Sequence, residues 1–160
     1  MEILRFPNAK LLTVCEPVTV FGPELTVLLE KMYDTMLKAK GIGLAANQVG
    51  LQFRMFVMNV RDDRHFIVNP EILSASEVFA NLKEGCLSAP GDFVVVNSRL
   101  KWVELKYQDE TGAEKTKVFE DIFSVCVQHE IDHLNGKAFL QSAALSSKVR
   151  KQLSKKWGLV

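Results

Sequence analysis

The stretch that decides the fold covers residues 128–136 and reads Gln-His-Glu-Ile-Asp-His-Leu-Asn-Gly. It closes an apolar segment, and Asn135-Gly136 is typical of the end of a helix. His129 and His133 are four residues apart, so a helix with about 3.6 residues per turn places both imidazoles on one face. Both rings can then bind one metal ion, with Glu130 beside the first of them.

Glu130 is suited to act as the base for an attacking water molecule. A metal ion lowers the pKa of such a water, but a proton must still move when the water attacks an amide. The alternative is an amphipathic helix that carries this pattern by chance. Two of the three histidines in the chain lie here, in an otherwise apolar helix, and this concentration favours a metal site.

A third ligand is expected from upstream of this helix. Glu is absent from residues 131–160, no His follows His133, and Asp132 points away from the face that the histidines share. The upstream candidates all have side chains that bind zinc-type metals. They are Cys15, Cys86, Cys126 and His65.

Three of these candidates are less favoured. Cys126 lies seven residues before His133, about 10.5 Å along the helix axis, so we expect a buried thiol beside the metal rather than a ligand. His65 follows the charged turn at residues 61–64, and we expect its side chain to be exposed. Cys15 has no distinguishing context.

Cys86 is favoured because it lies in a loop, Glu84–Gly91, that Gly and Pro interrupt. Such a loop can present a thiolate to a helix elsewhere in the fold, and a metal ion would keep that thiol deprotonated. Two His and one Cys leave a position open for water, which is the ligand count of a catalytic site. The alternative for Cys86 is a small buried hydrophobic residue.

The composition predicts one soluble globular domain over residues 1–160. Hydrophobic residues make up 48% of the chain, and 20 Lys and Arg against 19 Asp and Glu leave a net charge of +1. Three Cys are too few for a disulfide framework. No apolar run approaches the ~20 residues that span a bilayer, and Glu2 is atypical of a signal peptide. We therefore expect a cytoplasmic protein without membrane contact, with an organelle or a virus-infected host cell as alternative settings.

Periodicity predicts helices at Pro23–Lys38, at Ile122–Leu134 and from Ser146 or Ser147 onward. Strands are predicted at Phe53–Val60, Phe66–Asn69, Val78–Leu82, Phe93–Val96, Leu100–Tyr107 and Lys115–Phe119, with a hairpin turn at residues 109–112. The order helix, strands, helix, helix predicts an α+β fold with helices packed on antiparallel sheets.

Gln48 is the one notable polar residue in the glycine-containing stretch Gly41–Gly50. Its neighbours are small or apolar, and a side-chain amide held near a metal can donate a hydrogen bond to an oxyanion. The alternative is a purely structural role in a loop.

Three segments together resemble the peptide deformylase family, which is marked by G-x-G-L-A-A-x-Q, E-G-C-L-S and Q-H-E-x-D-H-L in that order. The matching segments are Gly41–Gln48, Glu84–Ser88 and Gln128–Leu134. Residues 3–7 and 145–156 resemble the opening and the basic closing helix of the family. The likeness therefore covers essentially the whole chain.

The resemblance implies a hydrolase that removes the N-formyl group from the initiator methionine of new polypeptides. It implies that one divalent metal ion, Fe(II) first and zinc, nickel or cobalt as substitutes, is bound by Cys86, His129 and His133. It also implies that Glu130 is the general base and then the general acid, and that Gln48 and the backbone N–H of Leu87 stabilise the oxyanion. The methionine side chain is expected in a pocket formed by Ile42, Gly43, Ile122, Val125 and Cys126.

Two departures from the family pattern concern the substrate side. Arg99 follows Cys86 by 13 positions, one more than the family pattern, so we assign Arg99 no substrate role. Phe123 replaces the residue usual near the start of the metal-binding helix, and we expect it to narrow the methionine pocket.

Formylated nascent peptides are the expected partners, and DNA is not. Residues 134–160 hold six basic residues and no acid, which fits either a solvated helix face or a contact between the C-terminal helix and ribosomal RNA. The two alternative functions are a small zinc-type metallopeptidase and a non-catalytic peptide-binding relative. An intact Glu130 and Gln48 argue against a pure binder, which needs neither.

Overall fold

The computed structural model describes residues 1–160 and has the α+β fold that the sequence predicts. The helices are α1 (Pro23–Lys38), α2 (Asp121–Leu134) and α3 (Ser147–Lys156). The strands are β1 (Gly43–Ala45), β2 (Met55–Val60), β3 (Asp63–Ala75), β4 (Lys83–Cys86), β5 (Ala89–Val95), β6 (Trp102–Gln108) and β7 (Glu114–Glu120). Short 3₁₀ turns cover Ala9–Leu12, Ala46–Val49 and Phe139–Gln141.

The strands form two antiparallel sheets. The larger sheet has the order β1-β2-β3-β6-β7, while β4 and β5 pair only with each other. Both β1 and β4 therefore keep one edge without a partner strand. Unpaired backbone N–H and C=O groups along such edges can pair with another extended chain.

Helix α2 packs across the larger sheet and becomes the centre of the molecule. Its apolar residues Val127 and Leu134 join a buried cluster that includes Phe56 and Leu105 of the sheet. Burial of each such side chain stabilises the fold by about 1.5–3 kcal/mol. The same packing holds the helix face that carries the two histidines in a fixed position.

The other two helices cover separate apolar clusters. The predicted stripe of α1 is confirmed, since Leu29, Met32 and Met36 are fully buried against β1 and β2. Leu153 of α3 and Trp157, the residue directly after the helix, pack against a third cluster near β5. None of the helices has both the length and the apolar composition that crossing a membrane requires.

Several strand predictions differ from the structure. The expected loop Glu84–Gly91 is wrong, because residues 84–86 belong to β4 and residues 89–91 to β5, with only a two-residue turn between them. Strand β1 lies in a stretch for which the sequence predicts no strand. Residues 78–82 form no strand, and only Phe79 makes an isolated bridge with Leu100. Strand β3 runs six residues beyond Asn69 to Ala75, because a bulge between Val68 and Glu71 accommodates the proline that lacks a ladder donor.

Gly136, which ends α2, offers a test of this packing. It has φ +68°, and a Cβ at this position would lie 2.7 Å from the carbonyl oxygen of Leu12. Gly91 also has a positive φ, +88°, but a Cβ at this position would have no atom within 4 Å. We expect Gly91→Ala to cost about 1–2 kcal/mol from backbone strain, and Gly136→Ala to cost a further ~1–3 kcal/mol from the close contact. Urea unfolding of both variants measures the difference, and equal losses would contradict the contact.

Candidate metal centre and active site

Three metal-binding side chains from distant parts of the chain meet at one point. The ligating atoms of Cys86, His129 and His133 all lie within 4.8 Å of one another, and all three residues are buried. Nε2 of His133 lies 3.2 Å from Sγ of Cys86 and 3.2 Å from Nε2 of His129. The structure therefore brings together the three residues that the sequence pattern selects, while Cys15, Cys126 and His65 lie outside the cluster.

Local backbone geometry orients these three side chains toward one another. The turn of α2 places the two imidazoles one above the other, and they face the end of β4. There the pairing of β4 with β5 shifts register between Gly85 and Cys86, where Cys86 pairs with Ala89. A bulge of this kind redirects a side chain, and here it accompanies a thiol that faces α2.

The donor set fits a divalent metal ion. A thiolate and two imidazoles suit zinc, iron, nickel and cobalt rather than magnesium or calcium, which prefer oxygen ligands. Oε2 of Glu130 is buried next to the cluster without a hydrogen-bond partner. A buried polar atom of this kind calls for a further partner, which agrees with a ligand site beside the three donors.

A buried ion pair holds the first histidine in place. Oε1 of Glu84 lies 2.9 Å from Nδ1 of His129, and Arg99 donates to both carboxylate oxygens of Glu84 at 2.9 and 2.7 Å. A third N–H of Arg99 donates to Asp132 at 2.6 Å. Because Nδ1 of His129 is engaged in this way, Nε2 is left to face the metal site.

Electrostatics within the pair favour its charged form. Burial alone would raise the pKa of Glu84, but hydrogen bonds from Arg99 and His129 hold that pKa below its ordinary value. The sequence reading missed the role of Glu84, although an acid inside an otherwise buried E-G-C segment was an available signal. Glu84 lines the cleft beside the metal donors, whereas Arg99 does not.

Glu130 has the environment of a group that exchanges protons near neutral pH. Its side chain is buried, and burial raises its pKa to about 7 against the opposing charges of His129 and Arg99. A base is most effective when its pKa lies near the working pH. Burial also raises the pKa of Cys126 well above its ordinary value, with a further contribution from Glu130, so this thiol stays protonated.

Gln48 is oriented so that its amide nitrogen faces the metal site. Its Oε1 accepts a hydrogen bond from the backbone N–H of Ala45 at 2.9 Å. Its Nε2 donates to Oγ of Ser88 at 3.0 Å and lies 3.6 Å from Sγ of Cys86. The amide therefore has a fixed direction, and its donor lies beside the thiol.

Gly43 allows β1 to approach α2 closely. A Cβ at this position would collide with the carboxylate of Glu130 and would lie 2.8 Å from Sγ of Cys126. Only glycine leaves room for the Glu130 carboxylate at this point.

These groups open into one cleft of about 420 Å³. The residues of the predicted methionine pocket all line it, namely Ile42, Gly43, Ile122, Val125 and Cys126. Leu87, Gln48, Cys86, His129 and Glu130 line the same cleft. The apolar pocket is therefore contiguous with Cys86, His129 and Glu130.

Two sequence expectations about side chains near the site are wrong. Phe123 does not narrow the cleft, because it packs against the core cluster under α2 and borders a different depression of the surface. The His65 side chain is only 12% exposed, since its ring packs edge-on against Phe119 at 5.3 Å.

Comparison with known proteins gives one consistent result. A family model described as polypeptide deformylase matches residues 1–149. The chain is 39% identical over 160 residues to peptide deformylase 1 of Shewanella oneidensis, with 97% of this chain and 94% of the relative covered. A peptide deformylase of Pseudomonas aeruginosa is also 39% identical, with 97% and 95% covered.

Solved structures agree with this comparison. A peptide deformylase from Synechococcus elongatus in complex with actinonin superimposes with a TM-score of 0.90 at 31% identity, covering 98% of this chain and 85% of that one. A Plasmodium falciparum peptide deformylase superimposes with a TM-score of 0.90 at 34% identity, covering 99% and 94%.

The contact between Glu84 and His129 predicts an effect on metal affinity. Glu84→Gln keeps a hydrogen-bond acceptor but removes the charge that supports His129, and we expect metal binding to weaken by about 10- to 100-fold. Competition with a chromophoric chelator measures the dissociation constant. Glu77→Gln removes an equal charge from an exposed position and should leave the affinity unchanged. Equal affinities in the two variants would contradict the positioning role of Glu84.

Proposed function

The chain belongs to the polypeptide deformylase family, and on that premise we propose how its residues remove the formyl group from nascent peptides. The family is metal-dependent. We assign the metal to Cys86, His129 and His133, with Fe(II) as the native ion and zinc, nickel or cobalt as substitutes. Family membership favours deformylation over a small metallopeptidase or a non-catalytic peptide binder.

The observation that best supports action on a peptide is that two strand edges without a partner lie beside the proposed catalytic groups. Gly41, Gly43 and Gly85 belong to the cleft, and β1 and β4 each have an unpaired edge. An extended peptide can pair its backbone with such edges. The N-terminal end of such a peptide would then lie beside Cys86 and Glu130.

The proposed chemistry divides among few groups. Cys86, His129 and His133 would hold a divalent ion, which would supply Lewis acidity toward the formyl carbonyl and toward water. Glu130 accepts a proton from the attacking water and later gives it to the departing amino group as the C–N bond breaks and formate leaves. Nε2 of Gln48 and the backbone N–H of Leu87 donate to the developing oxyanion.

The apolar part of the cleft fits the methionine side chain. Ile42, Ile122 and Val125 provide branched walls, and Cys126 adds a protonated thiol. An unbranched thioether adapts well to such a surface. Glu130 and Gly43 lie at the same end, so binding of methionine positions the formyl group for attack.

We also propose that the enzyme acts in the cytoplasm. All three cysteines are unpaired and buried, which suits a reducing compartment. Newly made polypeptides are the substrate, so the enzyme must meet them near the ribosome.

A contact with ribosomal RNA through α3 would bring the enzyme to that place. Leu153 and Trp157 fix the apolar side of α3 to the body of the protein, and Lys156 is held by Asp92 at 2.8 Å. The remaining basic residues of the helix form no ion pair, namely Lys148, Arg150, Lys151 and Lys155. Lys148, Lys151 and Lys155 are exposed on one side of the helix, so their side chains stay available to phosphate groups.

Glu130→Gln should separate metal binding from turnover. The metal donors are untouched, whereas proton transfer is lost, so we expect kcat to fall by about 10²- to 10⁴-fold. Hydrolysis of formyl-Met-Ala-Ser by anaerobically prepared protein, with metal content measured on the same sample, gives both quantities. Near-normal turnover by the metal-loaded variant would exclude Glu130 as the base.

The RNA contact predicts salt-sensitive binding to ribosomes. Replacement of Lys148, Arg150, Lys151 and Lys155 by Gln should reduce co-sedimentation with ribosomes and flatten its dependence on salt. A control with the same charge change replaces the exposed, unpaired residues Lys31, Lys38, Arg61 and Lys101 by Gln. Equal binding by the two variants would leave the basic face as a merely solvated surface.

A further inference from the structure

The hairpin of β4 and β5 places an exposed aromatic side chain at the cleft. Phe93 is 67% exposed, more than any other phenylalanine in the chain. Its ring covers Gly85, where a Cβ would lie 2.6 Å from Cε1 of Phe93. Leu82, which is 38% exposed, lines the same cleft. We refer to Leu82 and Phe93 together as the apolar rim.

The side chains of this hairpin alternate between two faces. Gly85 pairs with Phe93 and Lys83 with Val95, so these four residues share the outer face. Glu84, between Lys83 and Gly85, turns inward to His129. Because Gly85 has no side chain, the Phe93 ring extends across β4 toward its free edge.

A peptide bound along that edge must alternate in the same way. Its methionine side chain enters the pocket of Val125 and Cys126 on the inner side. The side chain of the next residue then points to the opposite side, which is the outer face that carries Phe93. The apolar rim is thus the surface that the second residue of the substrate meets.

We propose that Phe93, supported by Leu82, determines specificity for the residue that follows the formyl-methionine. The rim favours a large apolar or aromatic side chain there over a small one, and Lys83 on the same face disfavours a basic one. This inference rests on the proposed function, because it uses the peptide path along β4.

The expected effect follows from the contact involved. An aromatic pair with one face open to solvent corresponds to roughly 2- to 12-fold in kcat/KM. The discrimination lies mainly in KM, since the second side chain remains distant from Glu130 and the reacting carbonyl. Repulsion from exposed Lys83 is screened, so the penalty on a basic residue weakens as salt rises.

The test compares formyl-Met-Phe-Ser with formyl-Met-Ala-Ser as amides, using the metal-loaded enzyme. We expect the unaltered enzyme to prefer the phenylalanine peptide by about 2- to 12-fold. Phe93→Ala should bring the ratio close to one through KM, and Phe93→Leu should retain part of it. Phe53→Ala, which removes an exposed phenylalanine away from the cleft, should leave the ratio unchanged.

The outcomes separate this inference from the function on which it rests. Hydrolysis of both peptides with a ratio near one in the unaltered enzyme, or with a ratio insensitive to Phe93→Ala and Phe93→Leu, would overturn the role of the rim. Failure of the unaltered, metal-loaded enzyme to hydrolyse either peptide would overturn the proposed function itself.

Discussion

The ion pair between Arg99 and Glu84 underlies the rest of the site. Two histidines, the Cys86 thiol and the carboxylates of Glu84 and Glu130 are buried around α2, and each such group destabilises the fold unless it is ligated or hydrogen-bonded. Arg99 engages both Glu84 and Asp132, so it neutralises two acids that flank the histidines. Glu84 in turn orients His129.

This arrangement leaves Glu130 as the acid without a cationic side-chain partner in contact. Its carboxylate faces β1 at Gly43, where any larger residue would displace it. Glu84 and Asp132 are paired with Arg99, whereas Glu130 has no such partner, and this difference suits the acids to different roles. Glu84 keeps its charge and supports a ligand, while the pKa of Glu130, raised to about 7, suits proton transfer.

The cleft depends on the division of strands between two sheets. Because β4 and β5 pair only with each other, β4 keeps a free edge, and this edge and the free edge of β1 can both border the same cleft. Asp92 ties this hairpin to the C-terminal helix, accepting hydrogen bonds from Lys156 and from Nε1 of Trp157 at 2.7 Å. The hairpin that carries Cys86 and Phe93 is therefore anchored at its outer side by α3.

Periodicity and spacing in the sequence determined the helices, most strands and the proximity of the two histidines. A turn of four residues in α2 brings His129 and His133 together wherever that helix lies, so local pattern was sufficient. Packing between segments far apart in the chain decided the side-chain contacts that the local sequence pattern could not predict. The partners of Glu84, the burial of His65 and the position of Phe123 depend on which strand or helix face lies opposite, and contacts between residues far apart in the chain leave no local period to detect.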